Sequence, residues 1–128
     1  MRAVGIIIKS DDKILLYKRS AQEESEQGKW ENAGGKLEEG ENFLQALKRE
    51  LKEELDVGAE DITELLNYGG PETDNWIKVF QVKIIGTPKI MEPEYCDEIK
   101  WVNLENLKSI DLAKYSIEDF KRLGWLNA

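Results

Sequence analysis

The chain has 128 residues, of which 41% are hydrophobic and 34% charged, a composition typical of one globular domain spanning residues 1–128. Its net charge of −8 argues against a nucleic acid as partner, because phosphate backbones are bound by basic surfaces. The absence of histidine excludes zinc sites built on histidine ligands and nucleophiles activated by histidine.

The expected location of the chain follows from its apolar runs and its cysteine content. No stretch approaches the roughly 18 consecutive apolar residues that predict a membrane-spanning helix. The single cysteine, Cys96, allows no internal disulfide and is consistent with a reducing compartment. We therefore expect a cytoplasmic protein without a membrane partner, and the sequence leaves open whether it is a monomer or a homodimer.

Six short segments rich in aliphatic and aromatic residues predict β-strands. The first two are separated by the turn residues Ser10, Asp11 and Asp12, and the polar residues 20–28 predict a loop before the third strand. The predicted strands are residues 3–8, 13–17, 29–32, 63–68, 76–85 and 98–102.

A helix is predicted after the third strand and a glycine loop at Gly34 and Gly35. Asn42 is a good N-cap, and Gln45, three residues later, completes an approximate capping box. Leucines recur beyond it at helical spacing and predict the face that packs onto the core. These leucines are Leu44, Leu47, Leu51 and Leu55.

The C-terminal part of the chain predicts two further helical segments. Residues 104–107 indicate a short helical turn, and residues 116–123 a helix capped by Ser116 and ended by Gly124. Strands mixed with two main helices indicate an α/β domain built in layers.

Three carboxylates, Glu50, Glu53 and Glu54, crowd onto one side of the first predicted helix, because residues three and four apart share a face. An acidic run on a helix is often only a solvated face. Carboxylates this close repel each other unless something positive holds them, however, and oxygen clusters are the ligands that Mg2+ prefers. The cluster therefore predicts a metal site.

The segment that carries these carboxylates, residues 35–57, reads GKLEEGENFLQALKRELKEELDV and resembles the signature of the Nudix hydrolase family. It departs from that signature at Asp56, where the family usually has glycine, although aspartate tolerates the left-handed backbone expected after a helix. The resemblance implies an α/β/α sandwich with a mixed sheet. Residues 35–57 are implied to form a loop-helix-loop unit, called the box below. The residues that match are Gly35, Glu41, Arg49, Glu50, Leu51, Glu53, Glu54 and Val57.

The resemblance also implies a role for each residue of the box. Mg2+ is the implied cofactor, with Mn2+ as an alternative. Arg49 is implied to pair with box carboxylates and fix their orientation, and Glu41 to anchor the loop at the start of the helix. The implied metal ligands are Glu50, Glu53, Glu54 and the backbone carbonyl of Gly34.

Family members commonly carry a further acidic residue in a late loop, where it acts as a metal ligand or a base. The candidates here are Glu94, Asp97 and Glu98, which precede Trp101. We favour Glu98, with Glu94 second.

The implied reaction is hydrolysis of a nucleoside diphosphate linked to a group X. A carboxylate, Glu53 or Glu98, takes a proton from the attacking water, and the metal stabilises charge on the phosphates. The MutT-like branch is favoured, with a (d)NTP or oxidised (d)NTP cleaved to nucleoside monophosphate and pyrophosphate. ADP-ribose or a nucleotide sugar is the alternative, for which Pro71, fifteen residues beyond Asp56, is weak support. A non-catalytic nucleotide-binding domain is a remote third hypothesis.

Three residues near the double glycine are candidates for contact with the substrate. Trp30 predicts either a core anchor or a surface on which a base stacks. Asn32 stands where the favoured branch often has an aromatic or aliphatic residue, and its amide suits the edge of a purine. Lys36 follows the glycines within the segment that resembles the MutT-like branch.

Overall fold

A seven-stranded mixed β-sheet lies between helices in the computed structural model, which describes residues 1–127. This architecture confirms the expected α/β/α sandwich. Within residues 1–127, no helix is both long and apolar enough to cross a membrane. The strands are β1 (Arg2–Ser10), β2 (Lys13–Arg19), β3 (Trp30–Glu31), β4 (Ala33–Lys36), β5 (Gly58–Gly69), β6 (Trp76–Ile85) and β7 (Cys96–Asn103). The helices are α1 (Phe43–Leu55), a 3₁₀ helix (Leu104–Ser109) and α2 (Lys114–Arg122).

The first strand, β1, is central to the sheet. It pairs in parallel with β6, from Arg2 opposite Trp76 to Ile8 opposite Val82. It pairs antiparallel with β4 along its first half and with β2 at its C-terminal end. Strand β2 also pairs antiparallel with β3 and with β7. Strand β5 pairs antiparallel with β6, on the edge of β6 away from β1. Through β4, the double glycine is held directly beside the centre of the sheet.

Successive side chains of β1 point to opposite faces of the sheet and pack into two separate hydrophobic clusters, one on each face. Ile6 packs into the cluster under α1, and Ile7 packs into the cluster under α2. Helix α1 contributes Phe43, Ala46, Leu47, Leu51 and Leu55 to the first cluster, and α2 contributes Phe120 to the second.

The ends of α1 have the capping residues that the sequence predicts. The Asn42 side chain accepts a hydrogen bond from the Gln45 backbone, and the Gln45 side chain accepts one from the Asn42 backbone. At the other end, Asp56 adopts the left-handed conformation, with φ of 55°. The prediction for Leu44 is wrong, because this side chain is 46% exposed, whereas Phe43 is buried one position earlier.

Two further predictions about local structure are corrected. Helix α2 begins at Lys114, and Ser116 is not its cap but a buried residue inside it, where its hydroxyl bonds to Asn32 instead. Gly34 and Gly35 lie in strand β4 rather than in a loop. Gly34 has φ of +151°, and a side chain there would collide with the Val4 carbonyl oxygen of the neighbouring strand.

Candidate active site

Arg49 on α1 gathers the acidic residues of the box around its guanidinium group. Nε and Nη2 donate to the two carboxylate oxygens of Glu41 at 2.7 and 3.0 Å. Nη1 donates to Glu50 at 2.9 Å and to Glu53 at 3.2 Å. Nη2 also donates to the Lys36 carbonyl at 3.0 Å, which ties the end of β4 to the helix. The planar group with five N–H donors suits this shared role, which lysine could not fill.

These contacts change the acidity of the carboxylates unequally. The hydrogen bond from Arg49 lowers the pKa of Glu41, which also accepts a bond from the Glu38 backbone at 2.8 Å. Burial raises the pKa of Glu50 even though Arg49 favours its charged form. Arg49 therefore keeps the start of the box in place while Glu50 remains a partly desolvated carboxylate.

Glu54 is the most buried carboxylate of the box and is held by Tyr17 of β2. The Tyr17 hydroxyl donates to Oε1 of Glu54, while Oε2 is buried and has no hydrogen-bond partner. Burial raises the pKa of Glu54 well above its usual range, and the nearby Glu50 and Glu92 raise it further. Burial and the carboxylate also raise the pKa of Tyr17, so its hydroxyl stays protonated and donates.

A divalent cation fits the donor chemistry of this region. A buried carboxylate oxygen without a partner is costly unless a proton or a cation meets it, and the nearby Glu50 and Glu92 offer further carboxylate oxygens. Across residues 1–127, however, no three carboxylate, cysteine or histidine side chains converge into a formed metal site. Arg49 binds Glu50 and Glu53, whereas Tyr17 binds Glu54. The three predicted ligands therefore lie on one helix, but their carboxylates are not directed at one position.

Gly35 lies directly against the carboxylate of Glu50. A Cβ at this position would stand 2.6 Å from Cδ of Glu50 and closer still to its Oε1. We expect Gly35→Ala to push the Glu50 carboxylate away while the fold survives, because the displaced atoms are the far end of a flexible side chain. Turnover should fall about 10- to 100-fold, the usual effect of disturbing groups around a metal.

Gly70→Ala is the matched control for this substitution, since a Cβ there has no neighbour within 4 Å and the backbone is not left-handed. Steady-state hydrolysis rates and thermal unfolding of the two variants separate the effects. Full activity in Gly35→Ala would show that the position of Glu50 is unimportant.

A carboxylate that the sequence reasoning missed, Glu92, lies beside the box. The segment before β7 runs along the end of α1, where Lys89 N–H donates to the Leu55 carbonyl and Met91 N–H to the Glu54 carbonyl. Burial and then the neighbouring Glu53 raise the pKa of Glu92. The signal in the sequence was weak, because Glu92 is only one of several acids in the stretch before Trp101.

The late-loop candidates predicted from sequence, Glu98, Glu94 and Asp97, are all exposed. Glu98 is exposed on β7 opposite Lys18, on the face opposite to Ile99, which packs into the cluster under α1. Its side chain therefore points away from the helix that carries the box. Glu94 is exposed next to Glu92, and its carbonyl accepts a hydrogen bond from the Ser20 hydroxyl.

A cleft of about 360 Å³ adjoins the box on the α2 side of the sheet. Gly34, Gly35 and Tyr17 line it where it reaches the box, so the cleft and the carboxylates share a wall. Asp119 and the 68% exposed Tyr115, both on α2, line it together with Tyr68. The volume falls in the range of small-molecule sites.

Of the predicted substrate contacts, Asn32 and Lys36 line this cleft. The Asn32 side chain is already engaged, since its amide donates to the Ala33 carbonyl and its oxygen accepts from Ser116. Trp30 is not among the lining residues. It is partly buried against the cluster under α2, and the Lys100 ammonium lies 4.6 Å from its ring centre.

Asp119 is the second acidic group that sequence reasoning missed. Tyr68 donates to its Oδ1 at 3.0 Å, and burial raises the pKa of Asp119 to about 6. No sequence signal singled it out, because its inward direction follows from the burial of Ser116, three residues earlier on the same face of α2. Asp119 thus offers a carboxyl group of adjustable charge to a ligand in the cleft.

Comparison with known proteins relates this arrangement to a family. A sequence model of the NUDIX domain matches residues 1–123. The CTP pyrophosphohydrolase of Escherichia coli (strain K12) is 51% identical over 59 residues, covering 46% of this chain and 43% of that protein. Nucleoside triphosphatase NudI of Enterobacter sp. (strain 638) is 26% identical over 132 residues, covering 94% of each chain.

The fold is also similar to that of a solved family member. The MutT NUDIX hydrolase from Burkholderia pseudomallei matches with a TM-score of 0.79 and 26% identity, covering 95% of this chain and 96% of that one. Three of the curated relatives are matched over only 37% to 60% of their own length. Because the domain match extends over nearly the whole chain, the protein belongs to the Nudix domain family.

Proposed function

We propose that this protein is a Mg2+-dependent pyrophosphohydrolase that cleaves a nucleoside diphosphate linked to X. The favoured substrate is a nucleoside or deoxynucleoside triphosphate, including oxidised forms, which yields a nucleoside monophosphate and pyrophosphate. The observation that carries this proposal is the shared wall between the cleft and the box, at Gly34, Gly35 and Tyr17. A nucleoside in the cleft has its phosphates directed toward the carboxylates of α1.

The metal-binding part of the site is assigned to the box. Glu50, Glu53, Glu54 and the Gly34 carbonyl would hold the cation, with Mn2+ as an alternative to Mg2+. When bound, the cation supplies positive charge that offsets the acidic residues and stabilises charge on the phosphates. Arg49 orients the carboxylates, and it already donates to two of them.

Glu92 is the residue of this chain that we assign as the base. Its segment is fixed to α1 by the backbone bonds to Glu54 and Leu55, and its carboxylate lies close enough to Glu53 to be affected by its charge. A raised pKa makes a carboxylate a better proton acceptor at neutral pH. Glu53, one of the two bases expected from the sequence, is held by Arg49 and serves better as a ligand.

The nucleoside part of the substrate is assigned to the α2 end of the cleft. The exposed ring of Tyr115 offers a surface on which a base can stack, and Asp119 offers a carboxyl group for its edge. Lys36 lines the cleft next to the double glycine, where a cation favours phosphate. The names of two relatives, a CTP pyrophosphohydrolase and a nucleoside triphosphatase, support triphosphates as the substrate class.

A hydrolysis panel with Mg2+ tests the proposal. The panel compares CTP and the other (d)NTPs, 8-oxo-dGTP, ADP-ribose and nucleotide sugars, with products identified by chromatography and a chelator as the metal-free control. We expect pyrophosphate and a nucleoside monophosphate from at least one triphosphate, and no turnover once the metal is chelated.

Two other outcomes would redirect the assignment. AMP and ribose 5-phosphate from ADP-ribose, with triphosphates inert, would favour the nucleotide-sugar class. Cation and nucleotide binding without turnover of any compound would instead favour a non-catalytic binding domain.

A further inference from the structure

Tyr17 reaches Glu54 from the sheet below α1. It lies on β2, within the hydrophobic cluster under the helix, and its hydroxyl has a carboxylate partner on α1. That hydroxyl donates to Oε1 of Glu54, across 37 positions of sequence. The contact joins the sheet to the carboxylate and is independent of Arg49.

The hydrogen bond leaves the two oxygens of Glu54 in different states. Oε1 is occupied by Tyr17, whereas Oε2 is buried and has no partner. A carboxylate on a free side chain can rotate and exchange its oxygens, but a fixed bond to one oxygen sets the direction of the other. The structure therefore defines which oxygen of Glu54 is left without a hydrogen-bond partner.

The donor that holds Glu54 also differs in charge from the donor that holds its neighbours. Glu50 and Glu53 accept bonds from the guanidinium of Arg49, whose positive charge offsets part of theirs. The Tyr17 hydroxyl is neutral and orients Glu54 without offsetting its charge. Glu54 therefore differs from Glu50 and Glu53 in being held by a partner that carries no positive charge.

We propose that Tyr17 is a positioning residue for the divalent cation, because its hydroxyl fixes Oε1 of Glu54 and presents Oε2 to the metal. This inference rests on the proposed function, since it requires the box to hold a cation. It adds a residue outside the box, on a neighbouring strand, to the parts that determine metal affinity.

The test measures binding of Mn2+ alone to the substrate-free protein, by electron paramagnetic resonance of the unbound ion. Tyr17→Phe removes the hydroxyl and keeps the ring that packs in the cluster. We expect its Mn2+ affinity to fall about 10- to 100-fold, the usual effect of removing a group that orients a metal ligand. Circular dichroism and thermal unfolding verify that the variant is folded.

Tyr68→Phe is the matched control, because it also removes one hydroxyl that donates to a carboxylate, in this case Asp119 on the α2 side of the sheet. Its Mn2+ affinity should equal that of the wild type. A second test repeats Tyr17→Phe in a Glu54→Gln background, where we expect no further weakening. A merely structural effect of the lost hydroxyl would weaken binding equally in both backgrounds.

The outcomes separate this inference from the proposed function. If the wild type binds Mn2+ and Tyr17→Phe binds it equally or more tightly, the positioning role of Tyr17 is wrong and the proposed function stands. An equal loss in both backgrounds likewise overturns the role. If the wild type itself does not bind Mn2+, the metal-dependent function fails and the inference fails with it.

Discussion

Glu54→Gln should lower the rate of nucleotide hydrolysis at least about 100-fold, the largest loss expected from any single change in the box. The amide has the same shape and still accepts the hydrogen bond from Tyr17, but it lacks the charge that a cation requires. Steady-state rates at saturating Mg2+ measure the effect. Activity within a few fold of the wild type would show that Glu54 is not a metal ligand.

The same substitution should stabilise the metal-free protein. Burial raises the pKa of Glu54 above its unfolded value near 4.5, so its contribution to stability is present below that pH and is lost as the pH rises through the folded pKa. Glutamine does not titrate and avoids that loss. Metal-free Glu54→Gln should therefore unfold at a higher temperature than the metal-free wild type at neutral pH.

A pH series distinguishes this stabilisation from a general improvement in packing. We expect the difference in melting temperature between Glu54→Gln and the wild type, both without metal, to shrink as the pH is lowered toward 4.5. A difference that stays constant with pH would mean that the buried charge is not its cause. A substitution that raises stability and lowers activity is the expected pattern at a residue whose role is in function rather than in folding.

Leu47→Ala should destabilise the fold by about 3 kcal/mol, because it removes a fully buried side chain between α1 and the sheet. Leu44→Ala in the same helix should change stability by less than about 0.5 kcal/mol, since Leu44 is 46% exposed. Chemical denaturation of both variants measures the difference. The pair shares residue type, helix and substitution, so helix propensity cancels and burial alone separates them.

A comparable loss of stability in the two leucine variants would contradict the packing of α1 described here. The expected loss for Leu47→Ala corresponds to a decrease in melting temperature of roughly 10 °C for a domain of this size. Mn2+ binding by Leu47→Ala, measured well below that temperature, should remain, because the substitution does not touch the carboxylate face of the helix.

The parts of the site that were predictable from sequence are those fixed by local spacing. The capping box of Asn42 and Gln45, the left-handed Asp56 and the pairing of Arg49 with Glu53 all involve residues within four positions of each other. Helix geometry alone brings such residues together. The local structure of the box was therefore predictable from sequence without knowledge of any tertiary contact.

The parts that were not predictable depend on contacts between distant segments. Tyr17 meets Glu54, and Ser116 meets Asn32, across long stretches of chain that no local pattern links. Ser116 resembled a helix cap because serine favours that position, but it is the third residue of α2 and its hydroxyl bonds to Asn32. The helical spacing of the leucines is also compatible with burial of Leu44. The orientation of α1 on the sheet instead buries Phe43 and leaves Leu44 exposed.

During synthesis, β1 cannot complete its hydrogen bonding until β6 has left the ribosome, because Arg2 pairs with Trp76 and Ile8 with Val82. The apolar run around Ile6 and Ile7 therefore keeps an open strand edge while more than half of the chain is made. Pairings between residues so far apart in sequence form slowly and leave such edges exposed to other chains. The central strand of the native sheet is thus also a segment prone to aggregation in the nascent chain.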